Sequence, residues 1–132
     1  MSPLRSLLDA ELVPGVHLWS SALDVAYVRG AVRRAGWGFA HLRGADLATA
    51  SDFHPAIAAA LGFPEYYGRN LDALADCLSD CTGSQVLLWD DWGVLARAEP
   101  RLASIVVDLL GSSSVTTLLR GEGPSIPGVD RR

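Results

Sequence analysis

The sequence predicts an α/β fold: a small, mostly parallel sheet of three to four strands packed with helices. Three observations carry this expectation. Short apolar runs alternate with helical segments in the order β-α-β-α-α-β-α-β, and such alternation builds a parallel sheet because each return needs a crossover helix. The run Val86-Leu87-Leu88-Trp89 is apolar at every position, as expected for a buried strand. The 132 residues are 49% apolar and 20% charged, which suits one domain with one core and no disulfide or metal to hold it.

Each element has its own local signal. Residues 1–14 read as an N-terminal arm ending at Pro14-Gly15. Residues 16–19 alternate weakly and predict a short strand. Ser20 or Ser21 could cap a helix over roughly 22–35, which Gly36 would stop. Residues 37–42 predict a strand. Thr49, Ser51 or Asp52 can cap an alanine-rich helix over about 52–61, ended by Gly62. Pro64 and Gly68 fix a loop over 63–69, and Asn70 is a good N-cap for a helix over 71–80. After the strand 86–89, Trp92 and Gly93 read as loop, and Pro100 as an early residue of a helix reaching about Leu110. Residues 115–119 form the last predicted strand. The segment 121–132, rich in proline and glycine, reads as a disordered tail. The domain is therefore expected over 15–120, with a core at 37–119 and a βα extension at 15–36.

Composition narrows the function. The formal charge is −4 and every basic residue is arginine. A net acidic chain is poorly suited to binding nucleic acid directly. The charge is also unevenly placed. Glu65, Asp72, Asp76, Asp80, Asp90 and Asp91 are opposed within residues 65–91 by Arg69 alone, a local net of −5; the other nine acids face ten arginines. No apolar run approaches the roughly 18–20 residues needed to span a bilayer, and Arg5, Asp9 and Glu11 break the one candidate for a signal segment. A cytoplasmic protein is expected. Cys77 and Cys81, four apart, are poorly placed for a disulfide and lack the partners of a zinc site, so they read as buried free thiols.

The helix after Asn70 divides cleanly. At roughly 100° per residue, Leu71, Leu74 and Leu78 share one stripe, while Asp72, Ala75, Asp76 and Ser79 lie opposite with Asp80 at the edge. The leucines must face the core, which turns the acids toward solvent or a partner. Asp72 is favoured by the helix dipole, but Asp76 repels it at a cost of about 0.2–0.5 kcal/mol. Two adjacent tyrosines, Tyr66 and Tyr67, precede this helix. They cannot both point inward from an extended loop, so one should anchor it and the other be displayed. A displayed tyrosine beside carboxylates has the composition of an interface hot spot.

The segment Phe63-Pro64-Glu65-Tyr66-Tyr67-Gly68-Arg69-Asn70-Leu71-Asp72-Ala73-Leu74-Ala75-Asp76-Cys77-Leu78 resembles the central loop and second helix of the barstar family, intracellular inhibitors of the secreted bacterial ribonuclease barnase. The likeness in element order extends over about 37–119. It implies a barstar-like fold and a loop and helix that plug a cationic ribonuclease active site. It also implies contact roles for Tyr66, Asn70, Asp72 and Asp76, with Ala75, Ser79 and Asp80 on the same face. Asp76 matches the acid that stands in for substrate phosphate, and Tyr66 the aromatic that packs beside the catalytic groups. Asp108 is the nearest match for a further acid on a later helix. Two positions depart from the pattern: Ala75 stands where the family has tryptophan, and Asp80 where it has glycine. Losing an interface aromatic costs on the order of 1–2 kcal/mol or more.

These readings imply a protein partner, either a secreted microbial ribonuclease or a related basic nuclease toxin. No cofactor, catalytic residue or metal is expected, and the free chain is expected to be monomeric. His17, His41 and His54 are scattered and read as core or surface histidines rather than catalytic ones. Asp72, Asp76 and Asp80 on one exposed helix lack the walls that shift a pKa and the ligand count of a good metal site. No glycine-rich phosphate loop follows a strand. The alternative is an immunity or regulatory protein of the same fold that binds a different basic toxin or a partner that is no nuclease.

Overall fold

The computed structural model describes residues 14–126 and 130–131. In chain order the elements are β1 (Gly15–Leu18), α1 (Val25–Arg34), β2 (Gly38–Arg43), a 3-10 turn (Gly44–Asp46), α2 (Ala50–Leu61) and α3 (Leu71–Ser79). They continue with β3 (Gln85–Asp90), α4 (Gly93–Ala98), α5 (Pro100–Gly111), β4 (Val115–Arg120) and β5 (Asp130–Arg131). The strands form one sheet in the order β2-β3-β4-β1-β5, and every pairing is parallel. This is the expected α/β architecture, with a two-residue fifth strand added at one edge.

Both faces of the sheet are covered. Val86 and Leu88 of β3 and Leu118 of β4 pack with Trp19 and with Val28 and Val32 of α1. Leu87, Trp89, Val115 and Leu119 point the other way, into a larger core shared with Phe53, Ile57, Leu74, Leu78, Leu95, Val106 and Leu110. The run 86–89 of this strand is thus apolar throughout because it is buried on both sides. Among the described residues, no helix is long and apolar enough to cross a membrane.

Two expectations need correction. Helix α1 begins at Val25, not near residue 22, because Ser21 Oγ accepts the Leu23 N–H at 3.1 Å and closes a local turn instead of capping a helix. Gly93 is not a loop residue but the first residue of α4, preceded by Trp92 in a turn. Trp92 caps α4, which forms because Trp92, Leu95 and Ala96 are buried, and Gly93 is required where a Cβ would overlap the Glu122 carbonyl. Of the tail expected over 121–132, residues 127–129 and 132 lie outside the described residues. Residues 121–126 have no regular structure, yet Trp92 Nε1 donates to Gly121 O at 3.3 Å and Ile126 packs on the core, while Asp130–Arg131 pair with β1. The expected arm at 1–14 lies outside the described residues apart from Pro14.

One polar cluster joins the sheet to the N-terminal unit. Asp90, at the end of β3, accepts from Arg120 Nε at 2.5 Å, Arg120 Nη2 at 3.0 Å and His41 Nε2 at 2.8 Å. Arg120 Nη1 reaches Leu23 O at 2.6 Å, and the guanidinium lies over the Trp19 ring at 5.6 Å. Burial pushes the Asp90 carboxyl up, but hydrogen bonds and charge from Arg120 and His41 outweigh it and hold the group below its ordinary 3.8. A carboxyl held low in the folded state stabilises above its ordinary value and loses that contribution as pH falls through the folded value. Asp90→Asn is expected to destabilise by about 1–3 kcal/mol at neutral pH and to flatten the acid limb of the stability curve below pH 4, as measured by urea titration.

Candidate partner-binding surface

Helix α3 is set by two local devices. Asn70 Oδ1 accepts the Ala73 N–H at 2.8 Å, an N-cap worth about 0.5–2 kcal/mol. Leu74 and Leu78 are buried and Leu71 half-buried, so the helix is fixed in rotation. Asp72, Asp76, Ser79 and Asp80 are therefore exposed, with Ala75 half-exposed among them. Among the described residues no cation pairs with the three carboxylates. Ser79 Oγ donates to the Asp76 carbonyl at 2.7 Å and tightens the last turn. Asp80 is the C-cap, and the last turn holds no basic residue. An acid there opposes the helix dipole by about 0.3–1 kcal/mol, so this surface is not arranged for stability.

The preceding loop is anchored from within. Tyr67 is buried while Tyr66 is 87% exposed, the division expected of two adjacent rings. The Tyr67 hydroxyl shares a 2.6 Å hydrogen bond with His54 Nδ1 on α2, and its ring meets Phe63 at 5.2 Å. Its N–H donates to Pro64 O at 3.0 Å. At the far end Arg69 has φ +52, a left-handed turn closed by Asn70 Nδ2 donating to Gly68 O at 3.2 Å. The loop thus holds Tyr66 outward next to the start of α3. The pairing of His54 with Tyr67 joins residues thirteen positions apart and has no local signal in the sequence. The one available signal was that a histidine on an apolar helix face must find a polar partner.

Burial, with a smaller push from Cys77, raises the Tyr67 phenol to about 12, and burial pulls the His54 imidazole below its ordinary 6.5. Both groups are neutral in the folded state. Because the unfolded chain takes up a proton at His54 first, stability is full above pH 6.5 and falls as pH drops toward the folded value. Urea titrations at pH 7.5 and pH 5 should show this loss. His54→Gln should reduce the slope between those values, and an unchanged slope would remove His54 as its source.

The predicted site residues fall into two groups. Tyr66, Asn70, Asp72, Ala75, Asp76, Ser79 and Asp80 occupy one continuous loop and helix. Asp108 is exposed on α5, which packs against α3. The acidic excess between residues 65 and 91 is not all free: Asp90 is consumed by Arg120 and His41, which leaves α3 as its main display. Cys77 and Cys81 are free and half-buried. Burial raises both thiols; for Cys77 the neighbouring Asp80 and Asp76 add to the effect.

Comparison with known families gives a match to Barstar (barnase inhibitor) over residues 37–124, more than half of the chain. The chain belongs to the barstar family. The barstar match contains α3, its loop and α5, while β1 and α1 precede it. A chain of the solved structure "Structure of Drosophila ORC bound to DNA" is also similar, with a TM-score of 0.68 over 96% of this chain at 14% sequence identity. The present chain spans 40% of that chain's length. At this identity the likeness is one of fold alone.

Proposed function

We propose that this barstar-family chain inhibits a barnase-type ribonuclease by inserting α3 and the Tyr66 loop into the enzyme's cationic active site. The observation that carries the proposal is the set of three exposed carboxylates, Asp72, Asp76 and the C-cap Asp80 of α3, with which no cation pairs among the described residues. A ribonuclease pocket is built to hold phosphate, so fixed carboxylates can occupy it, and opposed fields speed association. Tyr66 supplies a large rigid contact beside them at low entropic cost. Such an inhibitor needs no nucleophile, metal or cofactor, and it acts as a protein ligand rather than as an enzyme. The site of action is the cytoplasm, where the producing cell must be protected from its own nuclease.

A second reading keeps the same surface and changes the target to another basic toxin or a basic protein that is no nuclease. Two positions favour it. Ala75 leaves a small, half-exposed site at the centre of the face, and Asp80 adds a carboxylate at its end. Affinity capture from the native host distinguishes the readings. The wild-type bait is expected to retain a basic ribonuclease, and the Asp76→Ala bait to lose it. A basic partner without nuclease activity, lost in the same way, supports the second reading. A partner held equally by both baits contradicts both.

A further inference from the structure

Helix α5 carries an exposed apolar side chain beside the acidic helix. Among the described residues Ile105, at 37% exposure, is one of three large apolar side chains open to solvent, with Tyr66 and Tyr27. Tyr27 lies on α1, the helix covering the other face of the sheet. Ile105 lies on the same side as α3. Helices α3 and α5 pack together, and each leads into one of the adjacent parallel strands β3 and β4, so they run side by side in the same direction. Ser114 Oγ donates to Cys81 O at 2.6 Å and pins the segments that follow their C-terminal ends, two and three residues past Ser79 and Gly111. Counting back from the helix ends Ser79 and Gly111 at about 1.5 Å per residue brings Asp108 level with the turn of Asp76, and Ile105 level with the first turn of α3, which holds Asp72.

Burial gives the flank. Ala103, Val106, Val107 and Leu110 are buried toward the sheet. Pro100, Ala103, Ser104 and Val107 line a cleft against Trp92 and residues 124–126, so that flank turns away from α3. The opposite flank carries the half-buried Leu102 and Leu109, and at roughly 100° per residue Ile105 sits just outside them. Arg101 one turn before and Asp108 one turn after are both exposed and put a charge on either side of it.

Single exposed apolar residues are common on protein surfaces and carry no meaning alone. Ile105 differs by its place: it lies on the helix packed beside α3, and charged groups flank it as they rim the apolar centre of a protein interface. Charge by itself draws any basic protein to α3 and does not choose among them. We infer that Ile105 is a specificity-determining contact, over which the basic partner lays an uncharged surface while its cations engage Asp72 and Asp76. The inference rests on the reading of α3 as the partner-binding face.

The test measures the affinity of wild type, Ile105→Ser and Asp76→Ala for a barnase-type ribonuclease, at low and high salt. Ile105→Ser changes an exposed site and no charge. It should bind about tenfold more weakly, through faster dissociation, with the wild-type salt dependence and a retained cooperative unfolding transition. Asp76→Ala should lose affinity and flatten the salt dependence. Ile105→Ser binding within about twofold of wild type, while Asp76→Ala fails, overturns the inference and leaves the reading of α3 intact. A wild-type protein that does not bind the ribonuclease overturns that reading, and the inference with it.

Discussion

Asp76→Ala is expected to weaken partner binding by on the order of 2–5 kcal/mol while leaving the free protein as stable as before. The carboxylate is exposed, holds no cation among the described residues, and sits on a helix whose rotation is fixed by buried Leu74 and Leu78. Alanine favours helix, and the Ser79 hydrogen bond goes to the Asp76 backbone carbonyl, which the substitution keeps. The loss therefore falls on the complex. Much of it comes from the partner's cations, which are buried on binding and left without a counter-charge. Titration calorimetry of both proteins against the same ribonuclease measures it. An affinity unchanged within about 0.5 kcal/mol, the scale of an exposed ion pair, removes Asp76 from the interface.

Removing residues 1–36 is expected to abolish cooperative folding, although the barstar match begins at residue 37. The deletion takes away Trp19, Val28 and Val32, which cover Val86, Leu88 and Leu118, and it strips β1 from β4. Burying each such side chain contributes about 1.5–3 kcal/mol, so the six together involve on the order of 10 kcal/mol. A domain of this size has a net stability of about 5–15 kcal/mol, and the loss consumes most of it. The deletion also removes Leu23, whose carbonyl accepts from Arg120. The shortened chain should lose its near-ultraviolet circular dichroism and its sharp urea transition. A truncated protein that unfolds cooperatively at the wild-type midpoint would show that α1 is an ornament on a self-sufficient core.

What could be read from the sequence depended on how local the determining interaction is. Helix α3 was legible in detail: Asn70 as the cap, the leucine stripe as the buried face and the acids as the exposed one all follow from residues within a few positions of each other. The split between Tyr66 and Tyr67 was legible from the geometry of an extended chain, though which ring turns inward was not. That depends on His54, thirteen positions away on another helix. Asp90 looked like part of a free acidic cluster because its partners, His41 and Arg120, come from other strands. Helix α4 was missed because its start, Trp92-Gly93, carries loop chemistry and its stability comes from burial. Strand β5 has no apolar pattern and exists through its pairing with β1.

The inhibition of RNA cleavage by a barnase-type ribonuclease, titrated with the purified chain at low salt, bears most directly on the central claim. One equivalent of the wild-type protein should abolish cleavage, rising salt should weaken the block, and Asp76→Ala should restore activity. Full cleavage in the presence of excess wild-type protein across several such enzymes would contradict the account.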